Sequence, residues 1–210
     1  MRSSLNGIIG VPQVLMEDEN ITDTQRQYLQ MIIESGQNIL NMINLSLTIY
    51  KIEQGTYEPT ESEFDVLNIF KQCKTNYDLH LNSKNIEFIT YTDGFDSANP
   101  NHIMVKGEEL LAYSVISNLV KNAIEASPSG GTVEVCLSNS SKIIITINNQ
   151  GAVPQNIRDT FFDKYTTSGK DNGTGLGTYS AKILAEAQGW EISMHTSEVE
   201  GTTTTLTIPK

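Results

Sequence analysis

Two asparagines four residues apart, Asn118 and Asn122, are followed about fifty residues later by a glycine cluster at residues 173–177 (Gly-Thr-Gly-Leu-Gly). The asparagines lie in a segment with helical spacing of apolar residues, so both amides are expected on one helix face. The glycines open a second predicted helix, whose unpaired N–H groups and dipole attract phosphate. Amide oxygens are suitable ligands for a hard cation, so the two motifs together predict a magnesium–nucleotide site.

The composition restricts the size of the core and the class of partner. With 210 residues and 38% hydrophobic content, the chain can bury a core in one or two domains. A formal charge of −11 argues against general binding to nucleic acid or to anionic lipid. The sequence contains no apolar run of membrane-spanning length and no signal-peptide pattern, which predicts a soluble, cytoplasmic segment without direct membrane contact. Cys73 and Cys136 lack metal-ligand spacing, and we interpret them as ordinary reduced residues.

Residues 1–55 are predicted to form a hairpin of two helices. Apolar residues recur at helical spacing, and Pro12 is expected to kink the first helix. The segment from Thr22 to Gln25 matches a capping box for the second helix, which is predicted to end near Gly55. The apolar stripe of the second helix is close to heptad spacing and is too long for a hairpin to cover. We therefore predict a four-helix bundle formed by two copies, with packing onto the same chain as the alternative.

The remainder of the chain predicts a linker and an α+β domain. Residues 56–64 are polar, contain Pro59 and lack periodicity, which indicates a linker. Residues 65–210 alternate between two patterns: helical over 66–81, 106–126 and 178–188, and strand-like over 86–90, 133–137, 143–147, 190–194 and 206–208. Short turns between successive strands require antiparallel neighbours. The predicted fold is an α/β sandwich with a mixed sheet covered by helices on one face.

The glycine cluster is compatible with several structures when it is considered alone. A Walker loop is excluded, because no glycine is followed by Lys-Ser or Lys-Thr. A dinucleotide fingerprint is also excluded, because its sixth position is Thr178 and no strand directly precedes the cluster. The polar stretch 165–172, which contains Lys170, is typical of a mobile lid over phosphate. An ordinary surface loop is the alternative.

Two further motifs complete an ordered set. Asn149-Gln150-Gly151 follows the predicted strand 143–147, and Gly201-Thr202 precedes the last strand. An asparagine helix, a strand-end turn, a glycine lid and a closing Gly-Thr, in this order, resemble the Bergerat-type nucleotide site. Sensor histidine kinases, type II topoisomerases, the ninety-kilodalton heat-shock chaperones and a mismatch-repair ATPase share that site. The resemblance covers residues 64–210 and implies ATP and Mg²⁺ as ligands.

One position separates the members of this superfamily. The resemblance implies that Asn122 ligates Mg²⁺ and that Asn118 lies one turn away, toward the phosphates. The ATP-hydrolysing members have a glutamate in place of Asn118, where it activates water as a general base. An amide cannot accept that proton at neutral pH. The resemblance therefore favours phosphoryl transfer to another acceptor, as in sensor histidine kinases.

The resemblance also implies roles for other residues. Asn149 and Gly151 would face adenine, with Thr202 beside them, and Lys121 would contact phosphate unless it is a solvated partner of Glu125. The lid would present Lys170 to the triphosphate, together with the backbone amides of five consecutive residues: Gly173, Thr174, Gly175, Leu176 and Gly177. Phe161 and Phe162 would anchor the lid, or they are plain core residues. Asn149 replaces the usual aspartate and Val153 replaces a usual glycine. Both departures are expected to reduce nucleotide affinity.

The amino-terminal hairpin resembles the same family. Residues 1–10 look like the tail of the phosphoacceptor motif, apart from Ser4, which stands where proline is usual. Residues 33–40 and 51–55 look like the second dimerisation helix, notably that of hybrid kinases. In that motif His-Glu stands immediately before the tail, so the acceptor is expected before Met1 and this chain should not autophosphorylate. No catalytic residue is assigned within the chain, because none of its histidines matches the motif: His80, His102 and His195.

The implied partners are ATP or ADP, a second copy of the chain and the receiver domain of a response regulator. Two alternatives stay open. Asn149 and Val153 favour a dimeric scaffold or phosphotransfer module that has lost activity, whereas the intact Asn122 and glycine cluster disfavour it. An anti-sigma-type serine/threonine kinase would use the same nucleotide site, but the dimerisation hairpin argues against it.

Overall fold

The computed structural model describes residues 2–18, 20–94, 102–167 and 175–210. These residues form six α-helices and seven β-strands, which divide into two compact units, Met1–Tyr57 and Glu58–Lys210. Within the described ranges, no helix has the length and apolar character needed to cross a membrane.

The first unit is a helical hairpin formed by α1 (Arg2–Leu15) and α2 (Asp23–Glu53). The predicted capping box is confirmed, because the Thr22 hydroxyl accepts from the Gln25 N–H and the Gln25 side chain accepts from the Thr22 N–H. Gly55 follows the C-cap residue Gln54 with a φ of 65°, and its N–H donates to the carbonyl of Ile52. Both ends of α2 are therefore satisfied by the local sequence.

α1 and α2 approach each other closely at Gly36. A Cβ built at Gly36 would lie 2.8 Å from Cγ1 of Ile9, so glycine permits this close approach. Leu5 and Ile9 are buried, and Pro12 lies within α1. The hairpin leaves many large apolar side chains exposed: Ile8, Val11, Val14, Leu15, Tyr28, Met31, Ile32, Ile39, Met42, Leu47 and Tyr50. We call these residues the exposed apolar stripe.

The described residues of the second unit form two sheets and four α-helices. Its helices are α3 (Val66–Asn76), α4 (Asp78–Lys84), α5 (Glu109–Ala126) and α6 (Gly177–Ala187). Its strands are β1 (Ser62–Asp65), β2 (Glu87–Asp93), β3 (Met104–Gly107), β4 (Thr132–Asn139), β5 (Ile143–Asn149), β6 (Glu191–Ser197) and β7 (Gly201–Ile208). β1 and β3 pair with each other, and the larger sheet has the order β2-β4-β5-β7-β6.

The larger sheet is mixed and covered on one face, as the sequence predicts. β2 and β4 are parallel, and the other neighbouring strands are antiparallel. Alternate residues of the central strands are buried, such as Val135, Ile145 and Leu206, whereas the opposite face of β7 carries half-buried threonines. The period of two in the sequence therefore defines which face packs under α5 and α6.

Three predicted boundaries are wrong. Ser62–Phe64, predicted as linker, belongs to β1, where the buried Phe64 lies opposite Val105 of β3. Because residues 104–107 form β3, α5 begins at Glu109 and not at residue 106. The helix predicted over 66–81 is interrupted at Tyr77, which lies between α3 and α4. Strands of four residues provide too few periods to be recognised beside a strong helical pattern.

Cys73 on α3 is fully buried. Burial raises its pKa from 9.0 to about 12, and a hydrogen bond with Ser117 partly opposes this effect. At pH 8 its thiolate population is therefore about a thousandth of that of an ordinary cysteine. We expect iodoacetamide to alkylate the half-buried Cys136 and to spare Cys73 in the folded protein, and to modify both in denaturant. Peptide mass spectrometry measures this, and rapid native labelling of Cys73 would contradict it.

The burial of Cys73 also makes the free energy of unfolding depend on pH in the alkaline range. Since the folded-state pKa of Cys73 exceeds the unfolded value of 9.0, its contribution to stability is complete below pH 9 and is lost toward pH 12. Burial also raises the pKa of Tyr77, which acts in the same direction. A Cys73→Ala variant should therefore lose less stability than the parent between pH 8 and pH 10.5, as measured by thermal melts. Equal losses of stability in the two proteins would show that the Cys73 thiol does not contribute to this pH dependence.

Candidate functional site

One face of α5 contacts both glycine motifs. Asn118, Asn122 and Ala126 follow one another at intervals of four, so they share a face that is about 12 Å long. A Cβ built at Gly177 would lie 3.5 Å from Oδ1 of Asn118 and 3.9 Å from Nδ2 of Asn122. At the far end, a Cβ built at Gly151 would lie 2.1 Å from the carbonyl oxygen of Ala126. The structure thus brings the asparagine pair to the start of α6 and the end of α5 to the strand-end turn.

Asn118 has a defined orientation on this face. Its Nδ2 donates to the carbonyl oxygen of Ser114 at 2.9 Å, and its Oδ1 is the atom closest to the position that a side chain at Gly177 would occupy. Asn118 and Asn122 are both half-buried. An amide oxygen held in this way can accept a hydrogen bond or ligate a cation, but it cannot take a proton from water.

The start of α6 is held by its neighbours. Leu176 occupies the N-cap position and supplies no capping hydrogen bond from its side chain. Gly175 has a φ of 63°, and its carbonyl oxygen accepts from the Tyr165 N–H at 2.9 Å. A Cβ at Gly175 would lie 2.4 Å from the Tyr165 carbonyl carbon, so the two backbones approach too closely for another residue. The predicted lid residues Lys170, Gly173 and Thr174 lie outside the described residues.

The strand-end turn forms a buried polar cluster. Asn149 is the last residue of β5 and is 4% exposed, and its Nδ2 donates to the carbonyl oxygen of Gly151 at 3.0 Å. Thr202 lies opposite Asn149 in the register of β5 and β7. Its hydroxyl donates to the same Gly151 oxygen at 2.7 Å. Two motifs that are separate in sequence, Asn149-Gln150-Gly151 and Gly201-Thr202, therefore meet at the Gly151 carbonyl oxygen.

Thr196 extends this cluster and was not identified from the sequence. Its Oγ1 accepts from the Val153 N–H at 3.0 Å and lies 2.9 Å from the Thr202 hydroxyl. Thr196 and Thr202 are opposite each other in the β6–β7 hairpin. Two threonines flanking the short turn at residues 198–200 are the sequence signal from which this pair could have been inferred.

Two lysines beside α5 have different environments. Nζ of Lys121 lies 3.8 Å from Oε1 of Glu125 in an exposed pair, which is the solvated arrangement that the sequence leaves open. Lys84 was not identified from the sequence. Its Nζ donates to the carbonyl oxygens of Ile124, Glu125 and Ser127 at 3.1, 2.8 and 3.0 Å. This cation complements the negative end of the α5 dipole and supports the turn that contacts Gly151.

The remaining candidates are two phenylalanines and three histidines. Phe161 and Phe162 are half-buried and pack edge to face with ring centroids 4.9 Å apart. His80 is exposed on α4, His102 lies 2.8 Å from an Asp65 carboxylate oxygen, and His195 is exposed on β6. Among the described residues, no cluster of three or more His, Cys, Asp or Glu side chains could hold a metal ion.

Two family models match successive parts of the chain. Residues 1–55 match the His Kinase A (phospho-acceptor) domain, and residues 107–210 match the histidine kinase-, DNA gyrase B- and HSP90-like ATPase. An uncharacterized sensor-like histidine kinase of Rhizobium meliloti is 29% identical over 226 residues, which cover 100% of this chain and 41% of the relative. The chain thus spans less than half the length of the curated relatives that it matches.

Solved structures have the same fold. Full-length ShkA in complex with AMPPNP matches with a TM-score of 0.70 and 21% identity, covering 99% of this chain and 43% of that chain. ThkA in complex with the response regulator protein TrrA matches with a TM-score of 0.60 and 21% identity, covering 100% of this chain and 58% of that chain. At these identities, the similarity is evidence for the fold.

Proposed function

The chain belongs to the sensor histidine kinase family, and we propose that it binds ATP with Mg²⁺ and transfers the γ-phosphoryl group to a histidine. The observation that carries this proposal is the face of α5 that contacts Gly151 at one end and Gly177 at the other. Asn118 on this face replaces the glutamate of the hydrolysing relatives. Water therefore lacks a general base, and transfer to a protein group is the preferred reaction.

In the proposed site, the two ends of the α5 face lie beside residues that bind different parts of the nucleotide. The cluster of Asn149, Gly151 and Thr202 binds adenine, and the N-terminus of α6 binds the phosphates through its backbone N–H groups. Asn122 ligates Mg²⁺ through its amide oxygen, and the bound cation neutralises charge on the phosphates. The space beside Gly177 supports this assignment, because any side chain there would lie against both asparagines. Catalysis then consists mainly of positioning and charge stabilisation.

The proposed acceptor is a histidine outside this sequence. His80, His102 and His195 all lie in the second unit, on α4, before β3 and on β6, and none belongs to α1 or α2. The chain alone should accordingly bind Mg-ATP or ADP without phosphorylating itself. Lys121 and the lid residues Lys170, Gly173 and Thr174 remain proposed phosphate contacts.

We also propose that α1 and α2 dimerise through the exposed apolar stripe and that the protein acts with a response regulator receiver domain. The receiver proposal is supported by ThkA, which was solved with the response regulator TrrA. The dimer proposal is supported by Ile39, 48% exposed on α2, together with the rest of the stripe. Burying one such side chain contributes roughly 1.5–3 kcal/mol, and a two-fold interface buries each residue twice.

Glutamate at Ile39 is expected to weaken the dimer by at least about tenfold, because it would place a charge in the apolar interface. Light scattering over a range of concentrations measures the change. Gln27→Glu is the matched control, since it adds the same charge at an exposed polar position of α2. A parent chain that is monomeric at high concentration, or an Ile39→Glu variant as dimeric as the parent, would refute the dimer.

Calorimetric titration with ATP and Mg²⁺ tests the nucleotide site. Saturable binding is expected, whereas no heat at high micromolar nucleotide would overturn the kinase proposal. Transfer is tested by adding labelled ATP and a dimerisation hairpin that carries an intact His-Glu start. Acid-labile label on that hairpin supports the kinase, binding without transfer supports the scaffold alternative, and acid-stable label on serine or threonine supports the anti-sigma type.

A further inference from the structure

We infer that Thr196 is a positioning residue that orients the Asn149 amide and thereby makes the site select adenine over guanine. This inference rests on the proposed nucleotide function. Aspartate, the usual residue at position 149, has two equivalent accepting oxygens. Asparagine has one acceptor and one donor group, so its preference between bases depends on which of them faces the ligand.

The hydrogen-bond directions in the cluster follow from the available hydrogens. The Gly151 carbonyl oxygen only accepts, so the Thr202 hydroxyl must donate to it across the 2.7 Å contact. With its single hydrogen used, Thr202 can only accept across the 2.9 Å contact with Thr196. The Thr196 oxygen in turn accepts from the Val153 N–H. The Thr196 hydroxyl also lies 3.1 Å from the carbonyl oxygen of Gly201, so its hydrogen is shared between that oxygen and Thr202. Thr196 therefore joins the Val153 N–H to the start of β7, where Thr202 donates to Gly151.

The same carbonyl oxygen determines the orientation of Asn149. It accepts from Nδ2 of Asn149 at 3.0 Å as well as from Thr202, so its two lone pairs are occupied. A reversed amide would place Oδ1 of Asn149 against this oxygen, where two acceptors repel. The observed orientation leaves Oδ1 as the accepting atom on the other side of the amide. An acceptor matches the 6-amino group of adenine and opposes the 6-oxo group of guanine.

Thr196 keeps the Gly151 carbonyl in place through Val153. The Val153 residue is 7% exposed, and its N–H donates to Thr196. Removing that hydroxyl would leave a buried donor unpaired, so the segment 151–153 would shift to find another partner. The Gly151 oxygen would move with it, and the Asn149 amide would then be able to turn.

The experiment compares dissociation constants for ATP and GTP in the parent and in two Thr196 variants. The parent should prefer ATP. Thr196→Val keeps the shape but lacks the hydroxyl, and it should reduce the ATP-to-GTP preference by about fivefold or more, while Thr196→Ser should preserve it. Thr205→Val, on the opposite face of β7, is the matched control and should leave both constants unchanged. Thermal melts establish that each variant is folded, and Thr196→Ala replaces Thr196→Val if the latter melts below the assay temperature.

The same comparison made in an Asn149→Asp variant distinguishes a lost orientation of the amide from a general loss of structure. In Asn149→Asp both oxygens accept, so adding Thr196→Val should leave the ATP-to-GTP preference of that variant unchanged. An equal loss of affinity for both nucleotides in Thr196→Val would reduce Thr196 to a structural residue and overturn the inference. The same loss of preference in the aspartate background would also overturn it. If the parent binds neither nucleotide, the proposed function itself fails.

Discussion

Alanine at Asn122 is expected to abolish phosphoryl transfer and to remove the magnesium-dependent part of ATP binding, without unfolding the protein. Asn122 is half-buried on α5, with its Nδ2 3.9 Å from the position of a Cβ at Gly177. Losing the amide oxygen would remove the proposed protein ligand of Mg²⁺, which contributes several kcal/mol of charge stabilisation during phosphoryl transfer. We expect transfer to an added hairpin to fall by about 10³-fold or more.

The measurement compares ATP affinity with and without Mg²⁺ by calorimetry, together with the rate of transfer. The matched control is Asn82→Ala, because Asn82 is an exposed asparagine on α4 whose side chain donates to Asp78 on the same helix. Asn122→Asp is a poor test, since a carboxylate also binds the metal. An Asn122→Ala variant that transfers phosphate at the parental rate would exclude Asn122 as the metal ligand.

Alanine at Gly201 is expected to destabilise the fold by about 4 kcal/mol or more, a large part of the stability of an ordinary domain. Gly201 begins β7 with a φ of 78°, a left-handed conformation that costs an alanine roughly 1–2 kcal/mol. A Cβ there would also lie 2.0 Å from the carbonyl oxygen of Asn149. That oxygen belongs to the central strand β5, so the overlap cannot be relieved by rotating a side chain.

Gly130 provides the matched control for this prediction. Its φ of 77° is nearly the same, but a Cβ there would meet nothing within 4 Å. Gly130→Ala should therefore show the conformational cost alone, and the difference between the two variants should measure the overlap. Urea denaturation followed by circular dichroism determines both free energies of unfolding. Equal values would mean that β7 can move away from Asn149 at no cost.

The helical parts of this protein were predictable because their signals are local. The capping box at Thr22 and the glycine end at Gly55 depend on residues three or four positions apart, and both are present as predicted. The apolar alternation of β4 and β7 likewise marked the buried face of the sheet. β1 was missed because its partners in β3 are distant in sequence, as in the pair formed by Phe64 and Val105.

Among the residues of the candidate site, those with local sequence signals were predicted and those with contacts distant in sequence were not. Asn118 and Asn122 share a helix face by their spacing, and this needs no tertiary information. Lys84 was missed because its partners at the end of α5 are far away along the chain. Thr196 has a partner nearby in Thr202, but its bond to the Val153 N–H joins residues distant in sequence. Hydroxyl and ammonium groups of this kind have no periodicity that distinguishes them from ordinary surface residues.

The sequence alone determined the helix that carries the asparagines, the order of the four motifs and the presence of an amide at position 118. These properties depend on residue type and on spacing along one chain segment. Only the tertiary structure decided that Gly177 lies beside the asparagines and that Gly151 lies against Ala126. It also decided that Thr196 completes the hydrogen-bonded cluster around Asn149. Such contacts require strands and helices distant in sequence to pack at one register, which local propensity does not encode.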